Sequence, residues 1–71
     1  MARENLKAAR KAAGLTQQAM AEKLNVSLRN YVYIEQGTII GRVDLWDKLE
    51  DIFGVHQRIL RENHLVKANS Q

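Results

Sequence analysis

Residues 16–37 have the sequence TQQAMAEKLNVSLRNYVYIEQG and carry the signals for two short helices joined by a tight turn. Thr16 is a suitable N-cap for the first helix, because its hydroxyl can accept a hydrogen bond from an unpaired backbone N–H of the first turn. Ser27 can cap the second helix in the same way. Asn25 and Gly37 tolerate the left-handed backbone conformation that ends a helix. The sequence therefore predicts two consecutive helices with one short turn between them.

The second helix, residues 28–36, has two different sides. Tyr31 and Ile34 are three positions apart and share the side that we expect to face the core. The opposite side has no acidic residue and consists of Arg29, Val32, Tyr33 and Gln36, with Leu28 at its N-terminal end. In a DNA major groove, arginine can bond guanine, glutamine can bond adenine, and an aliphatic side chain can contact a thymine methyl group. The outer side therefore suits a helix that reads DNA.

Residues 16–37 resemble the helix-turn-helix of the phage-repressor and Cro family, also called the XRE family. The matching residues are Leu15-Thr16-Gln17, Ala21, Leu24, Val26-Ser27 and Ile34-Glu35-Gln36-Gly37, with Arg10 upstream and Leu49 and Phe53-Gly54-Val55 downstream. The resemblance covers about residues 5–60. It implies an all-α fold, a compact bundle of five short helices similar to the DNA-binding domain of lambda repressor.

The resemblance also implies roles for individual side chains. We expect bases to be contacted by residues of the second helix of the motif, namely Arg29 first, then Leu28, Tyr33 and Asn30. We expect phosphates to be held by residues at the start of the motif's first helix, in the loop after its second helix and upstream of the motif. These residues are Thr16, Gln17 and Gln18, then Thr38 and Arg42, and Lys7. Phosphate contacts would set the register of the protein on DNA without reading the sequence.

The resemblance further implies a structural ion pair between Arg10 and Glu35. Such a pair would tie the first helix to the end of the third. Arg3 is expected in solvent. Replacing Arg10 by Met is therefore expected to destabilise the protein more than the same change at Arg3, because the loss of one partner leaves the other charge buried without compensation.

The remaining helices are predicted from their apolar periodicity. Helix 1 is expected over residues 2–13 and helix 4 from Val43 or Asp44 to Phe53. The predicted core face of helix 4 consists of Leu45, Trp46, Leu49, Ile52 and Phe53. Helix 5 is expected from Gln57 to about His64 or Val66, with a polar tail at 67–71.

Four positions depart from the family pattern or from an ordinary loop. Tyr31 stands where the family usually has an aliphatic residue, and we expect its ring in the core with its hydroxyl at the surface. Gly41 stands where proline is common. Ile39 and Ile40 are apolar for a loop, and they either pack beneath it or form a dimer contact.

The composition limits the class of protein. Seventy-one residues allow one small domain, expected over 1–66. The chain has no cysteine, and its two histidines lie eight residues apart, so we expect no metal site and no cofactor. No apolar run approaches the length of a membrane span, and no signal-peptide pattern opens the sequence. We therefore expect a cytoplasmic protein of a bacterial or phage-infected cell. We expect no enzymatic activity, because no nucleophile, base and orienting group come together.

Charge is distributed unevenly along the chain. Residues 1–42 contain seven Lys or Arg against three acids, and residues 43–71 contain four against five. The positive part is the one that would face phosphates.

The sequence therefore predicts a sequence-specific, double-stranded DNA-binding transcriptional regulator, acting as a homodimer through helix 5 and the end of helix 4. An antitoxin of a toxin–antitoxin pair and a protein-interaction module on the same fold remain alternatives.

Overall fold

The computed structural model describes residues 2–62, which form five α-helices and no strand. The helices are α1 (Glu4–Ala12), α2 (Gln17–Leu24), α3 (Leu28–Gln36), α4 (Val43–Phe53) and α5 (Gln57–Leu60). α2 packs on α3, and α5 packs against both α1 and α4. The predicted all-α bundle of five short helices is confirmed. No helix within residues 2–62 is long and apolar enough to cross a membrane.

Apolar side chains from all five helices meet in one core. Its buried members are Leu6, Met20, Ala21, Leu24, Tyr31, Ile34, Leu45, Trp46, Leu49 and Leu60. Trp46 and Tyr31 are the largest of these side chains. The core face of α4 is narrower than predicted, because Phe53 is only half-buried and Ile52 is 38% exposed. The packing of these faces on one another carries most of the stability in a chain of this size.

Two helices are shorter than the sequence predicts. α1 begins at Glu4 because Arg3 has a non-helical backbone and its N–H donates to the carbonyl of Glu35, at 2.9 Å. α5 ends at Leu60, where the N–H of Glu62 bonds the carbonyl of Ile59 in a tighter turn. Residues 63–66 of the predicted helix 5 and the tail at 67–71 lie outside the described residues.

The expectation that Arg3 lies in solvent is wrong. Its residue surface is only 4% exposed. The side chain is satisfied inside the bundle by backbone carbonyl oxygens and by the face of Trp46, whose ring centroid lies 5.3 Å from the guanidinium carbon. The sequence pattern could not show this, because the bonding groups belong to residues between 31 and 58 positions away along the chain.

Candidate nucleic-acid interface

α3 is bounded by the residues that the sequence predicts as its caps. The hydroxyl of Ser27 accepts a hydrogen bond from the N–H of Asn30 at 3.1 Å, which satisfies a donor of the first turn. Gly37 closes the helix with a φ of 83°. Before the turn, Asn25 ends α2 with a φ of 59°. The predicted helix-turn-helix geometry is confirmed.

The two sides of α3 face as predicted. Tyr31 and Ile34 are 0% and 1% exposed and lie in the core. Val32, which the sequence predicts on the outer side, is an exception, because it is half-buried. The side turned to solvent carries Leu28, Arg29, Asn30, Tyr33 and Gln36.

The exposed side of α3 has no negative charge. Its helix contains one carboxylate, Glu35, and that residue is 4% exposed. Arg29 and the two amides of Asn30 and Gln36 can donate hydrogen bonds, and the amides can also accept them. Leu28 and Tyr33 add apolar surface, at 42% and 41% exposure. This side can bond base edges and contact methyl groups without repelling a polyanion.

Glu35 lies at the centre of a buried hydrogen-bond network beneath this face. Arg10 donates to it twice, from Nε at 2.8 Å and from Nη2 at 3.2 Å. Gln17 donates from Nε2 at 3.0 Å, and the hydroxyl of Tyr31 donates at 2.7 Å. Arg10 also donates from Nη1 to the carbonyl of Leu15, at 2.8 Å. The network therefore joins α1, the start of α2 and the end of α3.

The network changes the proton affinity of its members. Burial alone would raise the pKa of Glu35, but the hydrogen bonds from Arg10, Tyr31 and Gln17 together hold that pKa below its ordinary value. Burial, and then the hydrogen bond to Glu35, raise the pKa of Tyr31. The hydrogen bond to Glu35 raises the pKa of Arg10 despite its burial. At neutral pH the site therefore holds a carboxylate, a guanidinium and a neutral phenol.

This placement corrects the expectation for Tyr31. Its ring is in the core as predicted, but its hydroxyl does not reach the surface. The phenol bonds Glu35, one turn further along α3, because a carboxylate buried at that distance offers a strong acceptor.

The three residues expected to hold phosphates at the start of α2 differ in their burial and in their hydrogen-bond partners. The hydroxyl of Thr16 accepts from the N–H of Ala19 at 3.0 Å and keeps its own hydrogen as a donor. Gln17 is half-buried, and one of its amide hydrogens is used by Glu35. Gln18 is exposed and donates to Glu22 at 3.2 Å. Gln17 is thus held in one orientation by the network.

The loop after α3 exposes two of the expected phosphate ligands. Thr38 is exposed, and the side chain of Arg42 is 85% exposed, in an ion pair of 3.2 Å with Asp44. Ile39 packs against the core, whereas Ile40 is 62% exposed. The two isoleucines therefore face different ways, and neither sequence-based alternative describes both. Lys7, the remaining candidate, is exposed on α1.

The backbone conformation and close packing of this loop explain why glycine stands at position 41. Gly41 has a φ of 85°, and a Cβ at this position would lie 3.2 Å from Cδ1 of Ile34. Proline requires a φ near −65° and cannot adopt this conformation. The departure from the family pattern therefore follows from the path of the loop.

A shallow cavity of about 130 Å³ separates the turn of the motif from α4 and is lined by Leu24, Asn25, Val26, Arg42, Asp44, Leu45 and Lys48. Its lining contains no hydroxyl or thiol nucleophile. Within residues 2–62, no group of three or more His, Cys, Asp or Glu side chains is placed to hold a metal ion.

A family model described as helix-turn-helix matches residues 6–56. No curated protein and no solved structure shows significant similarity to the chain. The family match spans most of the sequence and includes the whole motif with its buried network. The chain therefore belongs to the XRE-type helix-turn-helix family of DNA-binding transcriptional regulators.

Proposed function

We propose that this protein is a sequence-specific transcriptional repressor that inserts α3 into the major groove of its operator. The observation that carries the proposal is the division of α3 into a buried side and an acid-free exposed side. The exposed side offers Arg29 for a guanine, Asn30 and Tyr33 for further hydrogen bonds, and Leu28 for a thymine methyl group. Glu35, which would repel DNA if exposed, is neutralised inside by Arg10.

Phosphate contacts would come from both sides of α3. Thr16, Gln17 and Gln18 stand at the N-terminus of α2, where backbone N–H groups and the helix dipole favour an anion. The other exposed candidates are Thr38, Arg42 and Lys7. The hydrogen bond from Gln17 to Glu35 supports its role, because it holds the amide in place before DNA arrives.

The proposal includes a homodimer, since one recognition helix reads only a few base pairs. Two copies would read half-sites about 34–36 Å apart. The proposed interface lies at the end of α4 and on α5, where Ile52 and Ile59 are 38% and 43% exposed. The expected setting is the cytoplasm of a bacterial or phage-infected cell.

The test begins with a selection of bound sequences from random double-stranded DNA. We expect a two-fold symmetric consensus and an affinity that falls steeply as salt rises. Sedimentation of the protein free and on the selected DNA reports the oligomeric state. A protein without detectable DNA binding at low salt contradicts the proposal and favours a protein-interaction module.

Two variants with the same change in charge separate base contact from phosphate contact. Arg29→Ala should relax the preference at one position of each half-site, because a bidentate base contact is lost. Arg42→Ala should weaken binding to all sequences alike and lower the salt slope by about one. The Arg42 variant is a fair control for folding, because the exposed ion pair with Asp44 contributes little to stability. The assignment of Arg29 fails if its variant keeps the wild-type consensus.

A further inference from the structure

Arg3 joins the N-terminal segment to the end of the recognition helix α3. Its side chain donates from Nη1 to the carbonyl oxygen of Ile34 and, at 2.8 Å, to that of Ile39. Its backbone N–H donates to the carbonyl of Glu35 at 2.9 Å. The carbonyls of Ile34 and Glu35 belong to the last turn of α3, beyond the regular i→i+4 helical bonds, and that of Ile34 also accepts from the N–H of Gly37 at 3.1 Å. A single residue thus binds the helix end and the loop that follows.

The same guanidinium also contacts α4 and the end of α5. Nε donates to the carbonyl of Arg61 at 3.0 Å, and the guanidinium carbon lies 5.3 Å from the ring centroid of Trp46. Trp46 in turn donates from its indole nitrogen to the carbonyl of Ile40, at 2.7 Å. Arg3 and Trp46, which touch each other, therefore hold neighbouring carbonyls of the loop after α3.

The guanidinium suits this position for reasons of shape and charge. Its planar fork directs several N–H groups at separate acceptors, whereas the ammonium of lysine is a compact charge. A positive charge at the C-terminal end of α3 also interacts favourably with the helix dipole. Burial within the bundle, at 4% exposure, prevents water from replacing these contacts.

We propose that Arg3 is a positioning residue for DNA recognition, which sets the orientation of α3 and of the loop at residues 38–42 relative to α4 and α5. This inference rests on the proposed function. Hydrogen bonds to base edges require close placement of the reading helix, on the order of 0.5 Å. Non-specific attraction to phosphates has a weaker dependence on geometry, because it is largely electrostatic. Loss of the Arg3 contacts should therefore lower specificity more than general DNA affinity.

The experiment compares Arg3→Lys and Arg3→Gln with the control Asn5→Ala. Asn5 donates to the carbonyl of Ile59 at 3.1 Å and to Glu62 at 3.0 Å, so it ties α1 to the α5 region and does not touch α3 in any described contact. Every protein is assayed on the same two DNA duplexes, the operator selected with the wild-type protein and an unrelated duplex of equal length, at one salt concentration. The temperature is chosen well below every melting transition, and the dissociation constants are corrected for the folded fraction.

For both Arg3 variants, we expect operator affinity to fall roughly tenfold, the size of one lost base contact. Affinity for unrelated DNA should change less than about twofold, since the exposed cations that contribute to non-specific binding are unchanged. Asn5→Ala should keep the wild-type ratio of the two affinities. An unchanged ratio in Arg3→Lys and Arg3→Gln overturns the inference and leaves Arg3 with a structural role alone. A wild-type protein that binds no DNA contradicts the proposed function instead.

A measurement on the unmodified protein covers the case in which the variants do not fold. The amides of Gly37, Thr38 and Ile39 bond carbonyls of α3 at 2.9–3.4 Å. If Arg3 holds this region, their hydrogen exchange should require opening of the whole domain, as for the amides of the core. Fast exchange of these three amides by local fraying of α3 contradicts the inference.

Discussion

The guanidinium of Arg10 and the carboxylate of Glu35 form a two-point ion pair, although the residues lie 25 positions apart in the chain. Their residues are 8% and 4% exposed, so water contributes little to the solvation of either charge. Glu35 belongs to the recognition helix, and Arg10 belongs to the last turn of α1. The pair thus orients α3 from the side opposite to its exposed face, and it removes a negative charge from the surface that would meet DNA.

Arg10→Met should destabilise the domain by about 3 kcal/mol or more, because Glu35 would remain buried without its cation. Lys11→Met is the matched control. Lys11 is exposed on the same helix, and its replacement should change the free energy of unfolding by less than about 0.5 kcal/mol. Arg3→Met, the comparison suggested by the sequence, is unsuitable because Arg3 is buried. Denaturant unfolding measures the difference, and equal midpoints for the two variants would contradict a stabilising role of the pair.

Tyr31→Phe should cost about 1–2 kcal/mol, because it removes the buried hydrogen bond to Glu35 and keeps the ring in the core. The loss should be smaller than for Arg10→Met, since Glu35 retains its cation. Tyr33→Phe is the control on the exposed side of the same helix. We expect it to change stability by less than about 0.5 kcal/mol. Thermal unfolding at pH 7 tests both variants, and a neutral Tyr31→Phe would show that the phenol is dispensable.

Stability should depend on pH through Glu35. Burial raises its pKa, but the hydrogen bonds from Arg10, Tyr31 and Gln17 outweigh this and lower the pKa in the folded protein. The unfolded chain therefore binds the proton at a higher pH, about 4.3 for a free glutamate. The stabilisation is complete well above that pH and is lost as pH falls through the lower pKa of the folded state.

Glu35→Gln separates this effect from that of the other carboxylates. We expect the variant to be less stable than wild type at pH 7, because Arg10 loses its counter-charge. The gap should narrow as pH falls below about 4, because a protonated glutamate is uncharged like glutamine. Urea unfolding at constant ionic strength gives the gap at each pH. A gap that stays constant down to pH 2 would exclude Glu35 as the titrating group.

Gly41→Ala should destabilise the domain by about 1–3 kcal/mol, because it combines a left-handed backbone with a contact of 3.2 Å to Ile34. Gly14→Ala is the matched control. Gly14 has a φ of 73° but no atom within 4 Å of the added Cβ, so only the backbone strain of about 1 kcal/mol applies. Melting temperatures of the two variants give the comparison. A larger loss at Gly14 would contradict the described path of the loop.

Local signals in the sequence determined the helices and their faces. The caps at Thr16 and Ser27 and the left-handed ends at Asn25 and Gly37 depend only on neighbouring residues, so they could be predicted without knowledge of the fold. The apolar spacing of Tyr31 and Ile34 set which side of α3 is buried. The family resemblance added the pairing of Arg10 with Glu35. These signals placed the candidate DNA-reading residues on one exposed surface.

Only the tertiary structure decided what the buried polar groups do. The sequence predicts Arg3 and the hydroxyl of Tyr31 at the surface, because an isolated charge or hydroxyl avoids an apolar interior. Their partners are backbone carbonyls and a carboxylate that lie next to them only after the helices pack. Hydrogen bonds between elements offset the cost of burial, and no periodic pattern in the chain reports them. The faces of the helices follow from spacing along the chain, whereas the network that orients α3 follows from packing.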